Sequence, residues 1–369
     1  MPFNSNWKLL CVRACGRAGV CVRVISVWTF NENQFRIMTT TRVIMSYQWG
    51  AANNEKAAMT GLKEEVARVA DRELRENKST REQMLEQFRE WIRKNQDICN
   101  CRTDDNFLLR FLRVKKFSLP MAQQVLLKYI NFRQTFSHLV CNSDYLIPSV
   151  TELISNGYIY ASPFRDSNGR RVILYNLSKF DPHKHNNSDM TKVHMITYEV
   201  LIEDEESQVM GFTHVADIHH ASPAHATIWS PTEFSTMVKW GEQSLPMRHK
   251  EIHLINVPAA VRYFYDLISA LVSDKMRSRL KIHDSVESLR KRVDPKVLPK
   301  ELGGHMPMAE MIDLWKKEVS AKRESILSLD DMKLLSTKSI ITRRNNQQNE
   351  NSSLMINSLQ GSFRRLEVD

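Results

Sequence analysis

The amino-acid sequence predicts an α/β fold preceded by an N-terminal helical lobe. Three observations carry this. From about residue 60 to 140, apolar residues recur at spacings of three and four, with aromatics dominating the repeated face. From Tyr158 the texture changes to short strand-like runs alternating with helical patterns, as in a sheet layered with helices. Leu245–Leu302 then joins a basic run, a strand-like run, an apolar helix pattern and a second basic cluster. A chain of 369 residues allows two or three domains and a core able to enclose a ligand.

Residues 1–55 stand apart from this plan. Over residues 1–54, Lys8, Arg13, Arg17, Arg23, Arg36 and Arg42 face a lone acid, Glu32, and so supply half of the net charge of +10. The segment reads as an unstructured or non-native extension. Its Arg-rich, acid-poor composition is also that of a mitochondrial transit peptide, and Met38 or Met45 offers a later start. Arg13, Arg17 and Arg23 interrupt the apolar window Leu9–Phe30, so neither a membrane span nor a secretory signal is expected. Cys11, Cys15 and Cys21 do not have zinc-site spacing, and six cysteines in this length make no disulfide framework.

The helical lobe is expected over residues 56–142. Glu64–Asn77 reads as a solvated helix. Thr80 and Gln83 form a capping box ahead of Leu85, Phe88, Trp91 and Ile92. Asp104 or Asp105 caps the next helix, with Phe107, Leu108, Phe111 and Leu112 inward and Arg110 and Arg113 turned away from that stripe. Ser118 and Pro120 open a fourth, carrying Val125, Leu126, Tyr129, Ile130 and Phe136.

Residues 143–330 carry the α/β pattern. Tyr158–Phe164 and Arg171–Asn176 are strand-like and joined by the turn Asp166-Ser167-Asn168-Gly169. Thr191–Gln208 reads as one helix with Glu203–Glu206 outward, and Thr213–Ile218 as a strand. Ser230-Pro231-Thr232-Glu233 is a helix start with cap, first-turn proline and capping-box acid. Ile252–Asn256 is strand-like. Pro258 opens a helix whose apolar face is Val261, Phe264, Leu267, Ile268, Leu271 and Val272. An amphipathic helix follows at Met308–Ile326. Residues 331–369 turn polar, with Arg343-Arg344 and an Asn/Gln run, and read as a disordered tail.

Enzymatic constellations are missing from the sequence. It holds no Walker loop, no G-x-G-x-x-G, no H-E-x-x-H and no G-x-S-x-G. His214, His219, His220 and His225 cluster, but His219 and His220 adjoin a strand end and would diverge, which suits a metal poorly. Asp217, a lone acid in an apolar strand, is expected to accept a hydrogen bond from neighbouring backbone. No catalytic residue, metal or resident cofactor is expected. The charge beyond residue 54 is too mild for a dedicated nucleic-acid binder.

Three motifs carry a family resemblance. Asn106-Phe107-Leu108-Leu109-Arg110-Phe111-Leu112-Arg113 resembles the N-terminal helical lobe of CRAL-TRIO proteins. Ile252-His253-Leu254-Ile255-Asn256-x-Pro258 resembles the strand entering their gate helix, and Leu298-Pro299-Lys300-Glu301-Leu302-Gly303-Gly304 their closing signature. The likeness spans about residues 60–330 in the right order. It is nearest to the α-tocopherol-transfer-protein-like and retinaldehyde-binding-like branch.

The resemblance implies a CRAL-TRIO α/β lipid-binding domain with a mixed sheet and a gate helix. The pocket candidates it implies are His194, Ile196, Tyr198, Phe212, Trp229, Met237, Trp240, Leu245, Ile252, Ile268 and Val272, with Val261, Phe264, Leu267 and Leu271 on the gate. It places a phosphoinositide-binding groove at Arg248, Lys250, Lys275 and Arg279. In the yeast-type phosphatidylinositol-transfer members a Glu follows the proline at the Leu245-Pro246 position. This chain has Met247, which favours a neutral lipophile such as a tocopherol, retinoid or sterol. The implied protein is a cytoplasmic lipid carrier, transiently on endosomal or other phosphoinositide-bearing membranes. A regulatory lipid-sensing module that recruits protein partners is the alternative.

Overall fold

The structure is a computed structural model and describes residues 9–15, 21–27, 62–259 and 269–341. In the segment read as an extension, Leu9–Cys15 and Cys21–Val27 pair as antiparallel strands.

The lobe begins with α1, Glu64–Val69, which widens into a π turn at Ala70–Leu74. Arg75, in the left-handed region at φ 64°, ends it. Helix α2 is Lys78–Lys94. Its cap is Asn77 rather than Thr80: the Asn77 side chain accepts the Thr80 N–H at 2.9 Å, so the helix starts before the expected capping box. Helix α3, Asp105–Val114, is capped by Asp104, which accepts the Phe107 N–H at 3.0 Å. Helix α4 is Leu119–Thr135. Phe107, Phe111 and Tyr129 are wholly buried between α3 and α4, with edge-to-face rings 5.2–6.2 Å apart.

The sheet has five strands: β1 Ile159–Arg165, β2 Arg171–Asn176, β3 Phe212–Asp217, β4 His249–Ile255 and β5 Leu280–His283. They lie side by side in that order. β1 and β2 form an antiparallel hairpin, and the remaining neighbours are parallel. The sheet is therefore mixed. At the hairpin turn Asp166 accepts the Asn168 and Arg170 N–H groups at 2.9 Å, and Gly169 takes φ 74°. Helices α5 (Pro148–Asn156), α6 (Asn187–Ile202) and α9 (Met308–Ala321) pack on β1, while α7 (Glu205–Met210) packs on α3 and α6, and α8 (Pro231–Ser244) on α4.

Several local expectations need correction. The helix expected over Thr191–Gln208 breaks into α6 and α7 because Asp204 turns to accept the Ser207 N–H at 3.2 Å. The acids Glu203–Glu206 are not a solvated edge. Glu203 receives Arg102 at 2.7 Å and Arg110 at 2.8 Å, and Glu205 receives Arg113 at 2.8 Å. Arg110 and Arg113 do turn from the apolar stripe, but into the sheet domain, where they are 1% and 0% exposed. Arg110 also donates to Glu199 at 2.9 Å, and Arg113 to Glu76 at 2.6 Å and Gln208 at 2.8 Å. The Tyr129 hydroxyl donates to Glu199 at 2.6 Å. A buried ionic layer thus joins lobe to sheet domain. Burying charge is tolerated there because each ion is matched and hydrogen-bonded.

The C-terminal part closes back on the lobe. The expected helix Met308–Ile326 ends at Ala321, and a short one follows at Arg323–Leu327. Lys333–Leu334, in the segment read as tail, pairs antiparallel with Ile98–Cys99. Leu329, Met332 and Leu334 are buried in the lobe's apolar core. Among the described residues no helix is long and apolar enough to cross a membrane.

Candidate functional site

The two faces of the sheet differ in burial. On β4, His253 and Ile255 point to one face and are buried, while Ile252 and Leu254 point to the other and are half-buried. Register places Tyr175, His214, Ile252, Leu254, Leu280 and Ile282 on the half-open face. On the closed face Val172, Leu174 and Val215 are also buried, and Leu289, Val293, Val297 and Leu298 belong to the same apolar core. Ile173, Phe212 and His214 are buried on the half-open face too, so its half-open part is the β4–β5 side, an apolar floor of Ile252, Leu254, Leu280 and Ile282.

A chain of tyrosines and histidines crosses that face. Tyr158 Oη lies 3.2 Å from His194 Nε2, and His194 Nδ1 lies 3.0 Å from Tyr198 Oη. Tyr198 Oη is 3.3 Å from Tyr175 Oη, which is 2.9 Å from His214 Nδ1. His214 Nε2 ends the run at 2.8 Å from His249 Nδ1. Burial holds His194 and His249 at a pKa of about 4, and His214 well below its usual value, so all three are neutral at pH 7. A neutral imidazole has one donor and one acceptor, and a phenol has both. The chain can therefore run donor-to-acceptor in either direction, and a polar group at one end selects which.

His249 joins this chain through an irregularity. Phe212 pairs with His249, but Thr213 pairs with Glu251, so β4 carries one extra residue there. Simple alternation would put His249 on the face of His253. The bulge turns it towards His214 instead. On the closed face His253 Nδ1 and His283 Nε2 meet separately at 2.8 Å.

The structure does not gather the expected pocket residues in one place. His194 and Tyr198 belong to the chain, and Ile252 to the apolar floor. Ile196 and Phe212 are wholly buried in the sheet domain's core. Trp229, Met237 and Leu245 pack instead on Phe132, Phe136 and Met195. The Trp240 ring meets the Phe136 ring at 6.2 Å and is 36% exposed. Leu271 and Val272 are half-buried. Val261, Phe264, Leu267 and Ile268 lie outside the described residues. Met247 is buried at 5% exposure within the sheet domain's core. Asp217 accepts the His219 backbone N–H at 3.0 Å, as its position suggested, and also the Asn256 side-chain amide at 3.0 Å.

The basic residues converge at the start of β4. Arg248 Nη2 and Lys250 Nζ both donate to Glu73 Oε2, at 2.9 and 3.1 Å. Arg248 also donates to the Val209 carbonyl, and Arg279 to the His249 carbonyl. Lys275 is exposed. Among the described residues neither Lys275 nor Arg279 forms an ion pair. Burial first, then neighbouring cations, lowers the pKa of all four groups; Arg248 bears on the other three, and Arg170 on Arg248, Lys250 and Arg279. Gly211, at φ 84°, passes beneath them: a Cβ there would lie 2.5 Å from the Arg248 carbonyl oxygen and 2.9 Å from Lys250 Cγ. A cleft of about 610 Å³ lined by Asp71, Arg75, Asn77, Thr80, Lys116, Phe117 and Ser118 lies on the lobe.

Comparison with known proteins places this architecture. The family described as CRAL/TRIO domain matches residues 155–304, and the one described as Pinta-like, UBA domain matches residues 77–150. Clavesin-1 of Pongo abelii is 31% identical over 264 residues, covering 70% of this chain and 75% of that protein. The chain belongs to the CRAL-TRIO family. Clavesin-2 of Homo sapiens is 29% identical over 252 residues, 68% of this chain and 77% of that protein. The crystal structure of Sfh5 aligns at 18% identity with a TM-score of 0.44, over 60% of this chain and 81% of that one. CRAL-TRIO proteins bind and transfer hydrophobic lipids, which is the coarse function of this chain.

The CRAL-TRIO closing signature also has a steric reason here. A Cβ at Gly304 would lie 1.8 Å from the Leu298 carbonyl oxygen, and Gly303 takes φ 80°. The second glycine lets the chain fold tightly back on Leu298, where the Lys300 N–H reaches the Met306 carbonyl at 2.8 Å.

Sequence reasoning missed Tyr158, Tyr175, His214 and His249 as members of one chain, and Glu73 and Arg170 as neighbours of the basic cluster. Strand alternation could have paired Tyr175 with His214. No local signal reports the bulge that recruits His249, or the lobe turn that brings Glu73 more than a hundred residues along the sequence to Arg248.

Proposed function

We propose that this protein carries one neutral lipophile of the tocopherol, retinoid or sterol kind and unloads it at phosphoinositide-bearing membranes. The observation that carries the reading is an adjacency: a half-open apolar floor with a polar chain beside it ends at a cluster of four cations short of counter-charge. Covering the floor with a ligand releases about 25 cal/mol for each Å² of apolar surface removed from water. The Tyr/His chain offers a hydroxyl or carbonyl a partner at little cost, because reversing the chain's donor order keeps its members hydrogen-bonded. Buried Met247 offers no charge to an inositol headgroup inside, which favours a neutral cargo.

Arg248, Lys250, Lys275 and Arg279 then serve as the docking groove outside. Multivalent phosphates suit converging cations, and Arg binds them bidentately. An anionic surface that engages the groove biases the carrier towards its unloading state only through differential affinity. The setting is the cytoplasm, with transient visits to endosomal or similar membranes.

Native mass spectrometry with lipid extraction, on protein purified from its own source cells, tests the cargo. One neutral lipophile per chain is expected. Co-purification of phosphatidylinositol, or of no lipid under conditions that preserve non-covalent complexes, would refute the reading.

A further inference from the structure

The groove already holds an anion of its own. Glu73 comes from the π turn of the helical lobe, and one of its oxygens accepts from both Arg248 and Lys250. Its other oxygen lies 3.7 Å from Arg72. Burial opposes ionisation, yet the bonds from Lys250 and Arg248 hold the carboxyl at about 2, so it is charged at any physiological pH. The Glu73 side chain is 34% exposed, against 14% for Arg248 and 22% for Lys250. The pair is open enough for exchange. Lys275 and Arg279 form no ion pair among the described residues; the acid that bears on Arg279, Glu242, accepts the Ser273 N–H at 3.0 Å instead.

We infer that Glu73 is a specificity-determining residue of the docking groove, an internal carboxylate that an incoming lipid phosphate must replace on Arg248 and Lys250. The inference rests on the docking reading above. Its selectivity follows from charge. Being tethered, Glu73 competes at a high effective concentration, in the millimolar range. A lipid carboxylate or phosphodiester brings one negative charge and exchanges with Glu73 on roughly even terms, so the tether wins. A phosphomonoester brings about −1.5 to −2 and three acceptor oxygens, and it displaces the single carboxylate. The groove thus discriminates for phosphomonoester-bearing lipids over those, such as phosphatidylserine, that carry only singly charged groups. The open cations Lys275 and Arg279 offer a first contact to either.

The test is co-sedimentation of parent and Glu73→Gln proteins with two vesicle types of matched surface charge, one containing phosphatidylserine and one phosphatidylinositol bisphosphate. The variant is expected to gain about fivefold on phosphatidylserine and to gain less on the bisphosphate, so that the preference narrows. Glu73→Asp, which keeps the charge but shortens the reach, is expected to narrow the preference as well, and it stands in should Glu73→Gln prove unstable. An unchanged preference in both variants, with bisphosphate binding retained, overturns the inference and leaves the docking reading intact. Weaker binding to both vesicles overturns it too, since Glu73 would then be a brace for the cations. If parent and variants all ignore both vesicles, the inference falls together with the docking reading.

Discussion

Lys275→Ala combined with Arg279→Ala separates docking from carrying. Lys275 is exposed, and Arg279 is tied by its side chain to a backbone carbonyl, that of His249. Neither contributes an apolar surface to the floor. A Lys or Arg held near an anionic membrane contributes about 1 kcal/mol. Losing two therefore costs about 2 kcal/mol, which is a roughly 30-fold fall in vesicle partition. The measurement is co-sedimentation with phosphatidylinositol bisphosphate vesicles at about 0.1 M salt, where the screening length is ~10 Å. Transfer of a fluorescent lipophile to the same vesicles is followed in parallel. Ligand binding to the free protein should stay within about twofold of the parent, and transfer should slow with partition. Raising the salt should shrink the difference between variant and parent. Equal partition and equal transfer rates would refute the argument, and loss of ligand binding would show that these residues support the pocket.

Three more perturbations follow from the structure. Arg113→Met takes the two shorter bonds from the buried Glu76 carboxylate and leaves it the longer contact from Arg81 at 3.3 Å, a loss of about 3 kcal/mol in denaturant unfolding; adding Glu76→Gln should restore part of it, and a loss below ~1 kcal/mol would contradict a matched ionic layer. Gly211→Ala puts a side chain where φ is positive and the Arg248 carbonyl is 2.5 Å away, so both stability, by ~1 kcal/mol or more, and vesicle binding should fall; an unaffected variant would contradict the close approach. The third concerns pH. His194 and His249 titrate near 4 when folded against 6.5 as the ordinary value. The unfolded chain therefore takes up protons first, stability is full above about pH 6.5, and it falls as pH drops through the window down to about 4. Unfolding free energy measured across that window should decline, and less steeply in His194→Asn; a flat profile would contradict burial of neutral histidines.

Much of this fold is legible in the sequence because burial imposes a period on it. The lobe's apolar stripes and the strand Arg171–Asn176 appear where periodicity places them. Likeness to a family also singles out Arg248, Lys250 and Arg279, which the structure brings together at the start of β4. What escapes is whatever depends on a partner distant in sequence. Glu203 and Glu205 look solvated because acids at a helix break usually are; their burial follows from Arg102, Arg110 and Arg113 arriving from the lobe. The strand Leu280–His283 is short and basic, and only pairing with β4 makes it a strand. His249 reads as a closed-face residue until the bulge re-aims it. Asn77 displaces Thr80 as a cap because both side chains are competent and the preceding turn ends at Arg75.

The pairing of Ile98–Cys99 with Lys333–Leu334 has a consequence for how the molecule is made. The lobe is synthesised first, yet part of its apolar core, Leu329, Met332 and Leu334, is synthesised after the whole sheet domain. Gln134 marks the same dependence: its carboxamide oxygen accepts the Leu334 N–H at 2.7 Å, across two hundred residues of chain. Vectorial folding, N-terminal unit first, is the general habit of multidomain chains. Here the first unit stays unfinished until the last has left the ribosome. A stop codon shortly before Leu329 should therefore expose the lobe to proteolysis while leaving every lobe residue before it in place.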